Sequence, residues 1–150
     1  MTDSGFQTVG VYTELKSAIE GDSSQERFAQ LHFNHTAKEI ELIRETGRKV
    51  ISVINIGVES KPVGDYSELR NAADLVLLED KNGISNSRNL SNYQVDGKTG
   101  FAGKISFQNL ESLVTRVPGF IDASSSLEIS PGIKDEKKLR QFLRVARDYK

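Results

Sequence analysis

The stretch FIDASSSLEISPGIKDEKKLRQFL, residues 120–143, holds one complete strand–loop–helix unit. Phe120 and Ile121 open a short apolar run that passes into Asp122, three serines (Ser124, Ser125, Ser126) and Glu128. Pro131-Gly132 is a turn signal. Behind it Leu139, Phe142, Leu143 and Ala146 recur at helical spacing, with Asp135 placed as the N-cap. Loops that follow strands are where binding and chemistry concentrate. A tract of small hydroxyl residues and carboxylates in such a loop is therefore the first candidate for a site.

The same alternation repeats toward the N-terminus. Gln7–Tyr12 (QTVGVY) is β-rich, Glu14–Glu20 is a short amphipathic turn, and Arg27–Phe33 (RFAQLHF) reads as a strand. Thr36 and Glu39 have the spacing of a capping box, Ala37, Ile40 and Ile43 share a helix face, and Gly47 is placed to end that helix. Lys49–Ile56 (KVISVINI) is a nearly continuous β-branched run, as expected of a strand covered on both faces. Asp65 caps a predicted helix to Ala73, and Asp74–Leu78 is another buried strand. Residues 80–99 are rich in Asn, Ser and Gly and carry the Asp96-Gly97 turn. Phe101–Ile105 is a short strand, and Leu110, Leu113, Val114 and Val117 give the next helix behind a cap at Ser106. Gly119–Ala123 is the last strand.

Five or six βα units in succession predict a mostly parallel sheet with helical cover. Periodicity fits both an incomplete (βα) barrel and an open doubly wound sheet. Residues 1–150 are expected to form a single α/β domain, because no linker interrupts them.

Composition narrows the function classes. Twenty basic residues face 21 acidic ones, for a formal charge of -1 with no long block of either sign, so nucleic acid is not an expected partner. With no Cys, the chain offers no disulfide, thiolate metal site or cysteine nucleophile. No run of 18 apolar residues and no leader-like start is present, so the expectation is a soluble cytoplasmic protein without membrane partners. His32 and His35 lack a third ligand nearby, and no metal or organic cofactor is expected. The Gly97-Lys98-Thr99 triplet is not a phosphate-binding P-loop, since Asn92 stands where the first Gly is needed.

The tail also resembles the last strand, loop and helix of phosphoribosylanthranilate isomerase, a tryptophan-pathway (βα)8 barrel. That family shows Asp, a small residue, Ser-Ser-Gly-Val-Glu, and then Gly-Val-Lys-Asp before its final helix. Asp122, Ser124, Ser125, Glu128, Gly132, Lys134 and Asp135 fall in step with it. Upstream, VGVY (9–12) is similar to the family's third strand and AQLHF (29–33) to Gln-Leu-His-Gly at its fourth. LVLLE (75–79) is similar to the sixth strand, and FAGKI (101–105) to Ala-Gly-Gly-Leu at the seventh.

The resemblance implies six parallel strands corresponding to the third through eighth of a barrel. It also implies an Amadori rearrangement of a phosphorylated ribosyl-anthranilate. The family's general acid, an Asp at the end of the sixth strand, is matched by Glu79, or by Asp80 after a shift of one residue. The phosphate loops are matched by Gly103, Lys104, Ser125 and Ser126, with Lys104 and Ser126 standing where the family has Gly. The family's Gly-Gly-Thr-Gly tract is NGIS (82–85), and its fourth-strand Gly is Phe33. The family's base, a Cys on the first strand, has no counterpart in these residues. Two expectations follow: an isomerase, or a non-catalytic relative that binds a phosphorylated small molecule or serves in assembly. A third reading is an unrelated doubly wound binding domain. The outer strands QTVGVY and GFIDA carry no Pro or Lys guard, so self-association or a partner covering their edges is expected.

Overall fold

A computed structural model describes residues 6–57 and 65–148; residues 1–5, part of the start searched above for a leader, lie outside them. Two compact units are present. One is built from residues 6–54 and 65–76, the other from 55–57 and 77–148.

In the first unit, strand β1 (Val9–Tyr12) leads through helix α1 (Leu15–Glu20) to β2 (Phe28–Leu31), and helix α2 (Ala37–Arg44) leads to β3 (Lys49–Asn55). Helix α3 (Tyr66–Ala72) follows. The strands pair in parallel, Val9 opposite Phe28 and Phe28 opposite Lys49. Helix α2 begins where the capping box predicts: Glu39 N–H donates to Thr36 Oγ1 (3.3 Å), and Thr36 N–H donates to the Glu39 carboxylate (2.7 Å). Such a cap contributes about 1 kcal/mol. Asp65 caps α3 by accepting from Ser67 N–H (2.8 Å). Ile40 and Ile43 of α2 and Leu69 of α3 are buried with Ala29, Leu31 and Val50 of the strands. Each fully buried aliphatic side chain of this kind contributes roughly 1.5–3 kcal/mol. Arg48, buried just before β3, donates to the Glu26 carboxylate (2.9 Å), to Tyr12 Oη (3.1 Å) and to the Ala18 carbonyl. Its charge is thus paired where solvent is excluded, the condition for a buried guanidinium to be tolerated.

In the second unit, β4 (Leu75–Glu79, from Leu77 onward) gives way to two 3-10 turns, Ile84–Asn86 and Arg88–Asn92. Then come β5 (Thr99–Ala102), helix α4 (Phe107–Val114) and β6 (Phe120–Asp122), with β5 and β6 in parallel register, Gly100 opposite Phe120. A small antiparallel hairpin of β7 (Glu128–Ser130) and β8 (Ile133–Lys134) separates β6 from the last helix, α5 (Glu136–Asp148). Leu110 and Leu113 of α4 and Phe142 of α5 are buried, and the two helices pack together.

Strand order in the sheet is β1-β2-β3-β4-β5-β6. A doubly wound sheet reverses its order at a switch point, and no reversal occurs here, so that alternative is excluded. Successive right-handed crossovers that always step the same way are the rule of the (βα) barrel. The fold is α/β, an incomplete barrel-type repeat of six parallel strands.

Boundaries differ most from the sequence reading in three places. Helix α4 ends at Val114, so Val117 is not on its apolar face as expected; it lies beyond the helix at φ 56° and is exposed, because the chain has already turned out of the helix there. Strand β5 starts at Thr99 and stops at Ala102 rather than running through Ile105, because Gly103 (φ 111°) and Lys104 (φ 48°) leave the extended region. The β7–β8 hairpin was not expected at all; the segment reads only as a loop with a Pro-Gly turn.

Candidate functional site at the ends of three strands

The residues matched to the acid and phosphate roles all lie in the second unit, where β4, β5 and β6 end. Glu79 is the last residue of β4, and its carbonyl accepts from Ile56 N–H (2.8 Å). Asp80, next along, donates its N–H to the Ala102 carbonyl (3.2 Å). The Asp80 carbonyl accepts from Gly83 N–H (2.9 Å), and its carboxylate accepts from Asn82 N–H (2.9 Å). Asp80 is buried and its polar groups close the Asp80–Gly83 turn, whereas Glu79 is half-buried at the strand tip. Neighbours on a strand point to opposite faces, so these carboxyls are two separate groups and not a dyad.

Gly103 stands against that turn. Its carbonyl accepts from Ile84 N–H (3.1 Å), and a Cβ built on it would overlap the Asp80 carbonyl oxygen. With φ at 111°, Gly103 is glycine for two reasons, space and backbone conformation. Lys104 follows in the left-handed region with its side chain exposed. Asn109, in the first turn of α4, holds this loop from below. Its Oδ1 accepts from Ser106 N–H (2.9 Å), and its Nδ2 donates to the Lys104 carbonyl (2.9 Å). Asn109 was not foreseen as part of the site; its signal is the Ser-x-x-Asn spacing to the cap Ser106.

The loop after β6 meets the loop after β5. Ser126 Oγ donates to the Ile105 carbonyl, which joins the two. Ser125–Leu127 form a 3-10 turn in which Leu127 N–H donates to the Ser124 carbonyl (3.0 Å). Lys134, on β8, reaches back with one ammonium to the Ser124 carbonyl (3.2 Å), Ser124 Oγ (3.1 Å) and Glu128 Oε1 (2.6 Å). The hydrogen bond from Lys134 is the main cause that holds the Glu128 carboxyl below its ordinary range, against some desolvation. Ser125, between the two anchored serines, is exposed. The structure thus brings Gly103, Lys104, Ser125 and Ser126 into two touching loops and places Glu79 and Asp80 beside the first of them.

The two histidines belong to the first unit and do not form a metal pair. His35 is buried, donates from Nδ1 to the Phe33 carbonyl (2.6 Å) and accepts the Ser52 hydroxyl at Nε2 (2.8 Å), a tautomer fixed by the carbonyl partner. His32 Nε2 lies 2.8 Å from Gln30 Nε2, the amide donating into the ring. Among the described residues, no group of three or more His, Cys, Asp or Glu side chains is placed to hold a metal ion. Among them too, no helix is long and apolar enough to cross a membrane.

The model of the N-(5'-phosphoribosyl)anthranilate isomerase family matches residues 2–145. The chain belongs to the phosphoribosylanthranilate isomerase family. The N-(5'-phosphoribosyl)anthranilate isomerase of Thermoplasma volcanium is 38% identical over 150 residues, an alignment that covers 99% of this chain and 74% of the relative. A solved phosphoribosylanthranilate isomerase from Thermotoga maritima superposes with a TM-score of 0.73 at 22% identity, covering 95% of this chain and 73% of that one. The 3-hexulose-6-phosphate synthase of Salmonella typhimurium has a TM-score of 0.69 at 12% identity, covering 96% of this chain and 74% of that one, a likeness of fold alone.

Membership in the phosphoribosylanthranilate isomerase family, enzymes of tryptophan biosynthesis, gives the geometry a frame. A barrel-type sheet carries function at the C-terminal ends of its strands. The three loops described above lie at those ends.

Proposed function

We propose that this protein is an N-(5'-phosphoribosyl)anthranilate isomerase whose substrate phosphate sits between the loops Gly103–Lys104 and Ser124–Ser126, with Glu79 as the general acid. The observation that carries this reading is the hydrogen bond from Ser126 to the Ile105 carbonyl, which makes one surface of two small-residue loops at neighbouring strand ends. In barrels the loops after the last two strands are the usual phosphate site, held by backbone N–H groups. Lys104 adds an exposed ammonium at the rim, a point charge rather than a cradle.

The rearrangement needs two proton transfers. A carboxyl donates to the ring oxygen of the aminoribose, which opens the ring and leaves an iminium between C1 and the anthranilate nitrogen. A base then takes the proton from C2, and the enolamine that forms tautomerises to the 2-ketone. Glu79 suits the first step: it stands at the tip of β4, whereas the Asp80 carboxylate is engaged in its own turn. The base is not a thiol of these 150 residues, which include no Cys. That fact favours a second reading, a relative that binds the phosphorylated ligand without turning it over. A cytoplasmic location follows from either role.

One experiment separates the readings. Purified protein is given N-(5'-phosphoribosyl)anthranilate, and product is followed alongside complementation of an isomerase-deficient tryptophan auxotroph. Turnover and growth are expected. Saturable binding with neither would establish the second reading, and absence of binding would remove both.

A further inference from the structure

We propose that Lys134 is the positioning residue of the serine loop, holding Ser124–Ser126 in the shape that receives a phosphate dianion and neutralising the carboxylate beside it. The inference rests on the phosphate reading of that loop. An ammonium has three N–H donors, and those of Lys134 are matched by three acceptors: the Ser124 carbonyl, Ser124 Oγ and Glu128 Oε1. The short hairpin brings them together, because its register sets Glu128 directly opposite Lys134. The Ser124 carbonyl is shared between Lys134 and the N–H of Leu127, so the ammonium and the 3-10 turn fix the same atom. At the other end Ser126 is tied to Ile105. The tract is therefore pinned at its first and third serines, and the second, Ser125, faces solvent.

Charge gives Lys134 a second role. Glu128 follows the 3-10 turn directly and carries a negative charge next to a loop proposed to take an anion. Lys134 pairs with it at 2.6 Å, while Lys138 Nζ donates to the Glu128 carbonyl (2.8 Å). Without Lys134 the loop would lose an anchor and would face an uncompensated carboxylate. A charge-assisted hydrogen bond is roughly twice as strong as a neutral one, so the substitution should be visible in binding.

The test uses inorganic phosphate as the probe, titrated into the full chain by equilibrium dialysis, with wild type, Lys134→Met, Lys134→Arg and Glu128→Gln. Thermal melting verifies that each variant is folded. Lys134→Met is expected to weaken phosphate binding about tenfold and to speed amide exchange at Leu127. Lys134→Arg keeps the charge and should stay within about threefold of wild type. Glu128→Gln should bind as tightly as wild type or more tightly. A purely structural role would not give these opposite signs on the two partners of one ion pair. In a wild type that binds phosphate, a Lys134→Met variant that binds equally well overturns the inference alone. A wild type that fails to bind phosphate overturns the phosphate reading, and the inference with it.

Discussion

The carbonyl oxygen of Asp80 occupies the space in which a side chain on Gly103 would begin. The end of β4 and the end of β5 are thereby locked together by a residue with no side chain, and the two hydrogen bonds that flank it, from Asp80 N–H to Ala102 and from Ile84 N–H to Gly103, keep them there. Gly103→Ala must push that turn away and must also hold alanine at a positive φ of 111°. Backbone strain of this kind costs about 1–3 kcal/mol. Together with the steric clash, a loss of about 2–4 kcal/mol is expected, read as a lowered midpoint in urea unfolding. A loss below about 0.5 kcal/mol, the range of an ordinary surface change, would mean the turn is not packed as described.

Lys104 presents the opposite case. It holds φ at 48° with a side chain that the left-handed region penalises by roughly 1–2 kcal/mol. Lys104→Gly relieves that strain, and the greater freedom of glycine in the unfolded chain gives back about 0.4–1 kcal/mol. The variant should be at least as stable as wild type, by up to about 1 kcal/mol. An exposed ammonium contributes only about 0.2–1 kcal/mol to a charge pair. Phosphate binding should thus fall no more than about fivefold if backbone amides are the main donors. Calorimetric melting and phosphate titration check the two halves separately.

What the sequence made legible follows from the range of the interactions involved. The caps at Thr36 and Asp65 are local, with acceptor and donor two or three residues apart, and each starts its helix as read. The βα alternation likewise needs only periodicity, and with it came the placement of Glu79, Asp80 and the serines at strand ends, whereas Gly103 was read inside a strand. Beyond local range the sequence was silent. The early stop of β5 depends on Asp80, more than twenty residues upstream of Gly103. The tie from Ser126 to Ile105 spans 21 positions and that from His35 to Ser52 spans 17, and neither leaves a pattern along the chain. The β7–β8 hairpin has strands of three and two residues, too short to show alternation, and Lys134 could be matched to a motif without its role being visible.

His35 makes stability depend on pH. Burial lowers its pKa from 6.5, outweighing the hydrogen bond to the Phe33 carbonyl and the charge of Glu39, which act the other way. In the fold the ring is neutral and accepts the Ser52 hydroxyl; in the unfolded chain it takes up a proton around pH 6.5. Between that pH and the lower folded pKa the unfolded state holds more protons. Stability contributed by this group is therefore complete above pH 6.5 and declines as the pH falls through that window. The slope for a single proton is at most about 1.4 kcal/mol per pH unit. With only two histidines in the chain, imidazole NMR can follow each. His35 is expected to remain neutral at a pH where a free imidazole is half protonated, and His35→Gln should abolish this part of the slope. Titration of His35 at or above 6.5 would contradict the burial described here.

The assignment of the acid rests on the difference between two adjacent carboxyls, and isosteric amides can separate them. Asp80→Asn preserves a side-chain oxygen able to accept from Asn82 N–H, the contact that closes the Asp80–Gly83 turn. The fold and the loop against Gly103 should survive, and if Asp80 has no proton to give, turnover should fall by no more than a few-fold. Glu79→Gln keeps the shape of a strand-end residue and removes the proton that ring opening requires. General acid catalysis accounts for about 10²–10⁴-fold in rate, so kcat should fall by that factor. Phosphate affinity should remain unchanged, because Glu79 belongs to β4 and not to the two loops proposed to hold the anion. Steady-state kinetics of the two variants beside wild type decides the matter. A large loss of kcat in Asp80→Asn with Glu79→Gln nearly intact would move the acid one residue along the chain, to the side chain that closes the Asp80–Gly83 turn.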